Sequence, residues 1–247
     1  MQPRVEGTPG LCVACAAGLF KSTSGAGPCT SSCPSGRTGE PGACTDCPVG
    51  TYKVATGNAT YTPCVAGTAS NVAALTAACP ACVAGKVQPL AQQTSCNDCL
   101  AGTFKTGTNG LTCDPCVAGT ASATTARSTA CPACIAGTVQ PLAQQTTCNN
   151  CLAGEYRLGT NGQTCDPCPA GTASASTARG TVCPACPVGQ IQTSPRQTAC
   201  VNCPADHFRE AASSASLQTD CTPCPDFSMS PAGNGLETNC LCNAGYL

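Results

Sequence analysis

The chain has 247 residues, 27 of them cysteine, and only 9% are charged, for a formal net charge of −1. That balance excludes a phosphate-binding basic surface, and with it nucleic acid as a partner. Four Phe, four Tyr and no Trp exclude a single large apolar core, while the cysteine density marks a disulfide scaffold of an oxidising compartment, predicting an extracellular or cell-surface protein.

The chain opens Met1-Gln2-Pro3-Arg4-Val5-Glu6-Gly7 without the apolar stretch of a signal peptide, and it reads as a mature chain or a fragment. No apolar run approaches the length of a membrane span. Residues 1–78 form irregular cysteine-rich units. They hold Cys12-x-x-Cys15 with Phe20-Lys21 behind it, a looser Cys29/Cys33 pair, and Cys44-x-x-Cys47 followed by Tyr52-Lys53. Asn58-Ala59-Thr60 is a sequon, which makes Asn58 the candidate for N-glycosylation. Tyr61-Thr62-Pro63-Cys64 stands where later units read Cys113-Asp114-Pro115-Cys116 and Cys165-Asp166-Pro167-Cys168, so Tyr61 replaces an expected cysteine.

Residues 79–203 are the regular array. Successive Cys-x-x-Cys pairs from Cys79 to Cys200 start 17 or 18 residues apart, and a 52-residue period lies on top of them. Residues 79–130 align with 131–182 without a gap, and 39 of 52 positions match, so three short units make one super-repeat. The fifth residue after the second cysteine shows the cycle: aromatic at Tyr52, Phe104, Tyr156 and Phe208, Ala at Ala69, Ala121 and Ala173, Val or Ile at Val87, Val139 and Ile191. A base follows each aromatic, namely Lys53, Lys105, Arg157 and Arg209. Residues 204–247 are irregular again and end at Cys240-Leu241-Cys242-Asn243-Ala244-Gly245-Tyr246-Leu247, like the opening of a further unit.

Neither a helical period nor sustained strand alternation runs through the chain, and an x-Ala-Gly-Thr-like turn follows most cysteine pairs. The expected fold is therefore a small disulfide-rich repeat array, an elongated rod of short β-ribbons and turns with little or no helix. Sequence alone leaves the connectivity open. Closure within each Cys-x-x-Cys leaves the long loops unstapled. Joining the second cysteine of one unit to the first of the next closes every loop: Cys82–Cys96, Cys99–Cys113, Cys116–Cys131, Cys134–Cys148, Cys151–Cys165, Cys168–Cys183 and Cys186–Cys200 in the array, with Cys15–Cys29, Cys33–Cys44, Cys64–Cys79, Cys203–Cys221 and Cys224–Cys240 outside it. A loop of about 15 residues gains roughly 3 kcal/mol from closure in the chain-entropy model. Cys12, Cys47 and Cys242 are left over. A second copy placed after Leu247 would put 16 residues between Cys242 and the next Cys12, against 10 to 17 in the internal loops. The expectation is a segment of a longer array, or a subunit that stacks head to tail.

Units such as Cys165-Asp-Pro-Cys-Pro-Ala-Gly-Thr172 resemble ephrin-receptor-like cysteine-rich repeats, related in style to tumour-necrosis-factor-receptor and EGF-like modules, over nearly the whole chain from Cys12 to Tyr246. Long arrays of this type resemble those of protist and algal surface proteins, such as immobilisation antigens and flagellar-hair filament proteins. The resemblance implies an extracellular rod used in coats, filaments or ligand display.

Several chemistries compete for the same cysteines. Paired knuckles about 14 residues apart suit a Cys₄ zinc site, but the units form an unbroken chain rather than pairs of knuckles. A thioredoxin-like centre needs a βαβ setting that the pattern lacks. The only histidine, His207, has no catalytic companion and reads as a solvated loop residue. Asp98, Asp114 and Asp166 read as turn formers. No catalytic group, metal or cofactor is expected. The bases Lys53, Lys105, Arg157 and Arg209 admit two readings: rings packed on disulfides with the charge in water, or a contact stripe for a neighbouring strand or for anionic glycans. Thr120–Thr125 and Thr172–Thr177 read as polar loop tips open to O-linked sugars. The function expected is an extracellular structural glycoprotein that self-associates, head to tail or laterally, into a coat or filament. The alternative is a receptor or adhesin ectodomain, or a surface antigen, displaying its loops to a ligand.

Overall fold

A computed structural model describes residues 32–39, 43–57, 59–210 and 220–245. The described residues form nine two-stranded antiparallel ribbons, each strand two residues long. In chain order the pairs are β1 (Arg37–Thr38) with β2 (Thr45–Asp46), β3 (Thr51–Tyr52) with β4 (Thr62–Pro63), and β5 (Lys86–Val87) with β6 (Asn97–Asp98). Next come β7 (Thr103–Phe104) with β8 (Asp114–Pro115), β9 (Thr138–Val139) with β10 (Asn149–Asn150), and β11 (Glu155–Tyr156) with β12 (Asp166–Pro167). The last are β13 (Gln190–Ile191) with β14 (Val201–Asn202), β15 (His207–Phe208) with β16 (Thr222–Pro223), and β17 (Ser228–Met229) with β18 (Leu241–Cys242). In the Ala class the ribbon shrinks to one bridge: Thr68 to Ala81, Thr120 to Ala133, Thr172 to Ala185. The single helical turn among the described residues is the 3-10 turn Glu237–Asn239. The fold is thus a disulfide-rich repeat array of short β-ribbons, and Pro is tolerated in its second strands because these ribbons are all edge.

The array divides into two compact units. The first comprises the described residues up to Cys99 together with Lys105–Cys113 and Ala126–Thr129, and holds β1 to β6; the second comprises Leu100–Phe104, Asp114–Thr125 and the described residues from Ala130 onward, and holds β7 to β18.

Each ribbon follows from its turn. The third residue after the second cysteine is Gly in most units, with φ between +74° and +86° from Gly36 to Gly189, as the third position of a type II turn requires. The next residue is usually Thr, whose hydroxyl donates back across the turn, as from Thr103 Oγ1 to Leu100 O and Thr120 Oγ1 to Val117 O, both at 2.7 Å. The chain then reverses into its strand and, in every described ribbon except β3–β4, is closed by sulfur.

Eleven disulfides join the described cysteines, and each links the second cysteine of one unit to the first of the next. Their Cα separations of 5.5 to 5.7 Å sit at the mode for unstrained bridges. The pair Cys15–Cys29 and the leftover Cys12 lie outside the described residues. The second cysteines from Cys33 to Cys203 are at most 5% exposed, so sulfur, with Ala69, Ala121, Ala173, Val87 and Val139, fills the place of a conventional core. Disulfides at this density form and persist in an oxidising environment. No helix among the described residues is long and apolar enough to cross a membrane.

The C-terminal ribbon departs from the sequence reading. In a regular ribbon the second strand ends one residue before the second cysteine, and that cysteine's N–H bonds the turn of the unit before, as from Cys116 to Gly102 O at 2.9 Å. In the last ribbon it is Asn243 N–H that bonds Phe227 O, at 2.8 Å, and Cys242 lies inside β18. Because Cys240-Leu-Cys242 is one residue short, Asn243 occupies the place of the second cysteine and the Cys242 thiol is turned out to solvent. Cys242 therefore does not continue the register of the internal cysteines, as its spacing suggested.

Candidate functional site

The feature that recurs through both compact units is the junction between successive ribbons. The turn Gly of one unit donates its N–H to the sixth residue after the second cysteine of the next: Gly50 to Ser70 O, Gly85 to Lys105 O, Gly119 to Gln140 O, at 2.7 to 2.8 Å. The same Gly accepts at its carbonyl from the next unit's second cysteine, as Cys64 N–H to Gly50 O at 2.9 Å. A third bond runs from the tenth residue of the next unit back to the second cysteine's carbonyl, as Gln144 N–H to Cys116 O at 2.7 Å. That tenth residue is left-handed without being glycine at Ala74, Gln92, Asn109, Ala126, Gln144 and Asn161.

Its carbonyl then rests against the turn Gly two units earlier. A Cβ added at Gly137 would lie 2.1 Å from Ala178 O, and one added at Gly102 would lie 2.4 Å from Gln144 O. The glycine is therefore required twice, by its own φ and by the backbone that covers it.

The sixth position carries a second pattern, in which base, Ser and Gln alternate with the class of the unit. Gln88 and Gln140 are 3% exposed and bridge their own loops: Gln88 Nε2 donates to Ser95 O at 2.8 Å, while Leu90 N–H donates to Gln88 Oε1 at 3.1 Å. Ser70, Ser122 and Ser174 are 5% exposed, and each accepts at Oγ from the amide two residues on. The bases occupy the same inward position. Lys53 is 4% exposed and its Nζ donates to Arg37 O and to Gly57 O. Arg209 is 1% exposed, and its Nη1 donates to Cys186 O, Pro187 O and Gln190 O at 3.1, 3.0 and 2.6 Å. Burial holds the Arg209 guanidinium below its ordinary pKa. Lys105 and Arg157 are half-buried: a Cβ at Gly110 would lie 3.1 Å from Lys105 Cγ, and Arg157 Nη1 reaches Asp166 Oδ2 at 3.7 Å. Lys53 and Arg209 thus depart from both sequence readings, since their charges lie neither in water nor on a contact stripe. They tie main-chain carbonyls of adjacent units together.

Other residues singled out by sequence are placed as follows. Asp98, Asp114 and Asp166 are strand residues rather than turn formers, and Asp98 pairs with Lys86 directly across the ribbon. His207 lies in β15, half-buried, with Nδ1 3.0 Å from Ala205 O. In the Ser/Thr-rich loops Thr120, Ser122, Thr172 and Ser174 are buried, which leaves Thr124, Thr125, Ser176 and Thr177 at the surface. Asn58 lies outside the described residues. Among the described residues, no group of three or more His, Cys, Asp or Glu side chains is placed to hold a metal ion.

Two described cysteines remain as thiols. Cys47 is fully buried, and burial pushes its thiol up, with Asp46 adding to the effect and Lys53 opposing it. Cys242 is exposed. Alkylation of the native protein without reductant is expected to label Cys242 within minutes and Cys47 only after denaturation, because the reactive species is the accessible thiolate. Equal labelling of both in peptide mapping would contradict the placement of Cys47.

No protein-family model matches the chain, and no curated protein matches it.

Proposed function

We propose that this protein is a non-enzymatic structural component of an extracellular coat or appendage filament, built as a disulfide-stapled glycoprotein and self-associating in place. One observation carries the reading: the same junction is made again and again, with every described loop but the one after Cys47 closed by sulfur and the sixth position turned toward the junction. Repetition of one contact suits a load-bearing array, in which each unit depends on its neighbours, better than a tailored pocket. The likeness of the units to ephrin-receptor-like and EGF-like modules, and to arrays in protist and algal surface proteins, supports the same reading, as does the oxidising environment that the disulfides require.

Self-association draws support from the C-terminal ribbon. Phe227, Met229 and Leu241 are 60%, 53% and 68% exposed, and Met229 faces Leu241 across β17 and β18. Cys242, the next residue of β18, is an exposed thiol on the other face of the ribbon, paired with Ser228. A ribbon that carries exposed apolar side chains on one face and a free thiol on the other suits a contact that oxidation then locks. The test is electron microscopy of native material together with non-reducing electrophoresis of wild type and Cys242→Ser. Filaments or sheets, with disulfide-linked oligomers that Cys242→Ser abolishes, are the expected outcome. Dispersed monomers in both preparations would overturn the proposal.

A further inference from the structure

We infer that the loop between Cys47 and Cys64 is the yielding element of the array under tension, and that the buried Lys53 is the tie that holds it shut. Every other described loop is bypassed by its own disulfide, and this one is not. The inference concerns the covalent path of the chain, and it holds whether or not the protein builds a coat or filament.

The covalent path comes first. A chain pulled along its length carries load through the shortest line of bonds. In a bridged unit that line crosses the disulfide and leaves the loop slack. From Cys99 it passes to Cys113, Cα atoms 5.7 Å apart, and then through Asp114 and Pro115 to Cys116. Those three peptide steps extend to about 11 Å, so the whole unit spans about 17 Å at most. The described disulfides take loops with sequence separations of 11 to 18 out of the loaded path in this way. Between Cys47 and Cys64 no sulfur intervenes, because Tyr61 stands where the unit's first cysteine would stand and Cys47 remains a thiol. The chain from residue 47 to residue 64 extends to about 60 Å. This unit therefore stores about 45 Å of length that its bridged neighbours cannot release.

The ties come second. Within the first compact unit the loop is closed by hydrogen bonds where its neighbours add a covalent bond. β3 and β4 pair Tyr52 with Thr62, Cys64 N–H donates to Gly50 O at 2.9 Å, and Gly57 N–H donates to Cys33 O at 2.8 Å. Lys53 adds the charged tie. Its Nζ donates to Arg37 O, in the unit before, at 2.6 Å, and to Gly57 O in its own loop. The side chain thus fastens the middle of the loop to the neighbouring ribbon, and at 4% exposed it does so out of water. Hydrogen bonds from a charged donor are stronger than neutral ones, so this contact resists opening more than any single main-chain bond beside it. All of these bonds give way at loads that leave a disulfide intact. The loop opens, the bridged loops stay closed, and the hydrogen bonds re-form when the load is removed.

The test is to pull single molecules of the full oxidised chain and to read contour length. Wild type is compared with two insertions of six Gly and Ser residues. One follows Val54, which is 61% exposed in the unbridged loop; the other follows Gly107, where a Cβ meets nothing within 4 Å, in the bridged loop from Cys99 to Cys113. The insertion after Val54 is expected to lengthen the fully stretched chain by about 20 Å, and the insertion after Gly107 to add nothing. Tyr61→Cys, once peptide mapping shows its 47–61 bridge, is expected to shorten the stretched chain by about 45 Å. Equal contour lengths for the two insertions would overturn the proposal, as would a bridged Tyr61→Cys as long as wild type. Lys53→Met is expected to open the loop about tenfold faster at the same load, with the contour length unchanged. An opening rate equal to that of wild type would overturn the role of Lys53.

Discussion

Gly137→Ala is expected to destabilise the array by about 2–5 kcal/mol, whereas Gly107→Ala costs about 1 kcal/mol. The two glycines have similar φ, +85° and +77°, so the strain of an alanine at positive φ is common to both. What differs is the cover. A Cβ at Gly107 meets nothing within 4 Å, while one at Gly137 lies 2.1 Å from Ala178 O and 2.6 Å from Ala178 C. Those atoms are backbone, and they are held in place by the Ala178 N–H bond to Cys151 O at 2.8 Å. The clash therefore cannot be relieved by turning a side chain; the later loop must move and surrender its junction. Thermal unfolding of the oxidised protein by calorimetry separates the two variants. Equal midpoints would show that contact two units away contributes nothing to the requirement for glycine.

The second large effect runs the other way. Tyr61→Cys is expected to close a disulfide with Cys47 and to stabilise the chain by roughly 3 kcal/mol in the chain-entropy model, for a loop of about 15 residues. The strand register is already that of a bridged ribbon. β3 and β4 pair Tyr52 with Thr62 and Thr51 with Pro63, in the register in which β7 and β8 pair Phe104 with Asp114 and Thr103 with Pro115. Cys113 precedes Asp114 as Tyr61 precedes Thr62, and Cys113 is bridged to Cys99 with Cα atoms 5.7 Å apart. Cys47 is buried where Cys99 is buried, and Tyr61 lies at the surface, 38% exposed. Peptide mapping of the oxidised variant is expected to show a 47–61 crosslink together with a raised melting temperature. A Cys47 that still takes up alkylating agent in denaturant would count against the register.

The ribbons were legible because they are local. A Cys-x-x-Cys pair, a glycine three residues later and a Thr after it define a turn within a few residues, and the 17–18-residue spacing sets the loop that sulfur closes. The sixth position was visible in outline, since the bases at 53, 105, 157 and 209 recur on the 52-residue period. Their burial was not visible, because a base beside an aromatic usually keeps its charge in water. Here the carbonyls that draw Arg209 inward belong to Cys186, Pro187 and Gln190, 19 to 23 residues away, and no local pattern announces them. The neighbouring Ser and Gln of the same cycle were the overlooked signal: three polar residue types rotating through one position mark a place where each class of junction has its own internal hydrogen-bond partner. Cys242 misled for the opposite reason. A cysteine invites pairing by spacing, but the ladder counts residues, and a linker one residue short gave its slot to Asn243.

The contact between a turn glycine and the loop two units ahead has a consequence for how such a chain changes length. Each unit is shaped by the next and by the one after that, and the sixth positions follow in the fixed order base, Ser, Gln. Removing or adding a single 17-residue unit would set the wrong classes against each other at several junctions at once. Removing or adding 52 residues leaves every junction with the kind of neighbour it had. The segments 79–130 and 131–182, identical at 39 of 52 positions, are interchangeable cassettes in this sense. Lengthening or shortening by recombination is therefore tolerated in whole triplets, and the span of the array is quantised.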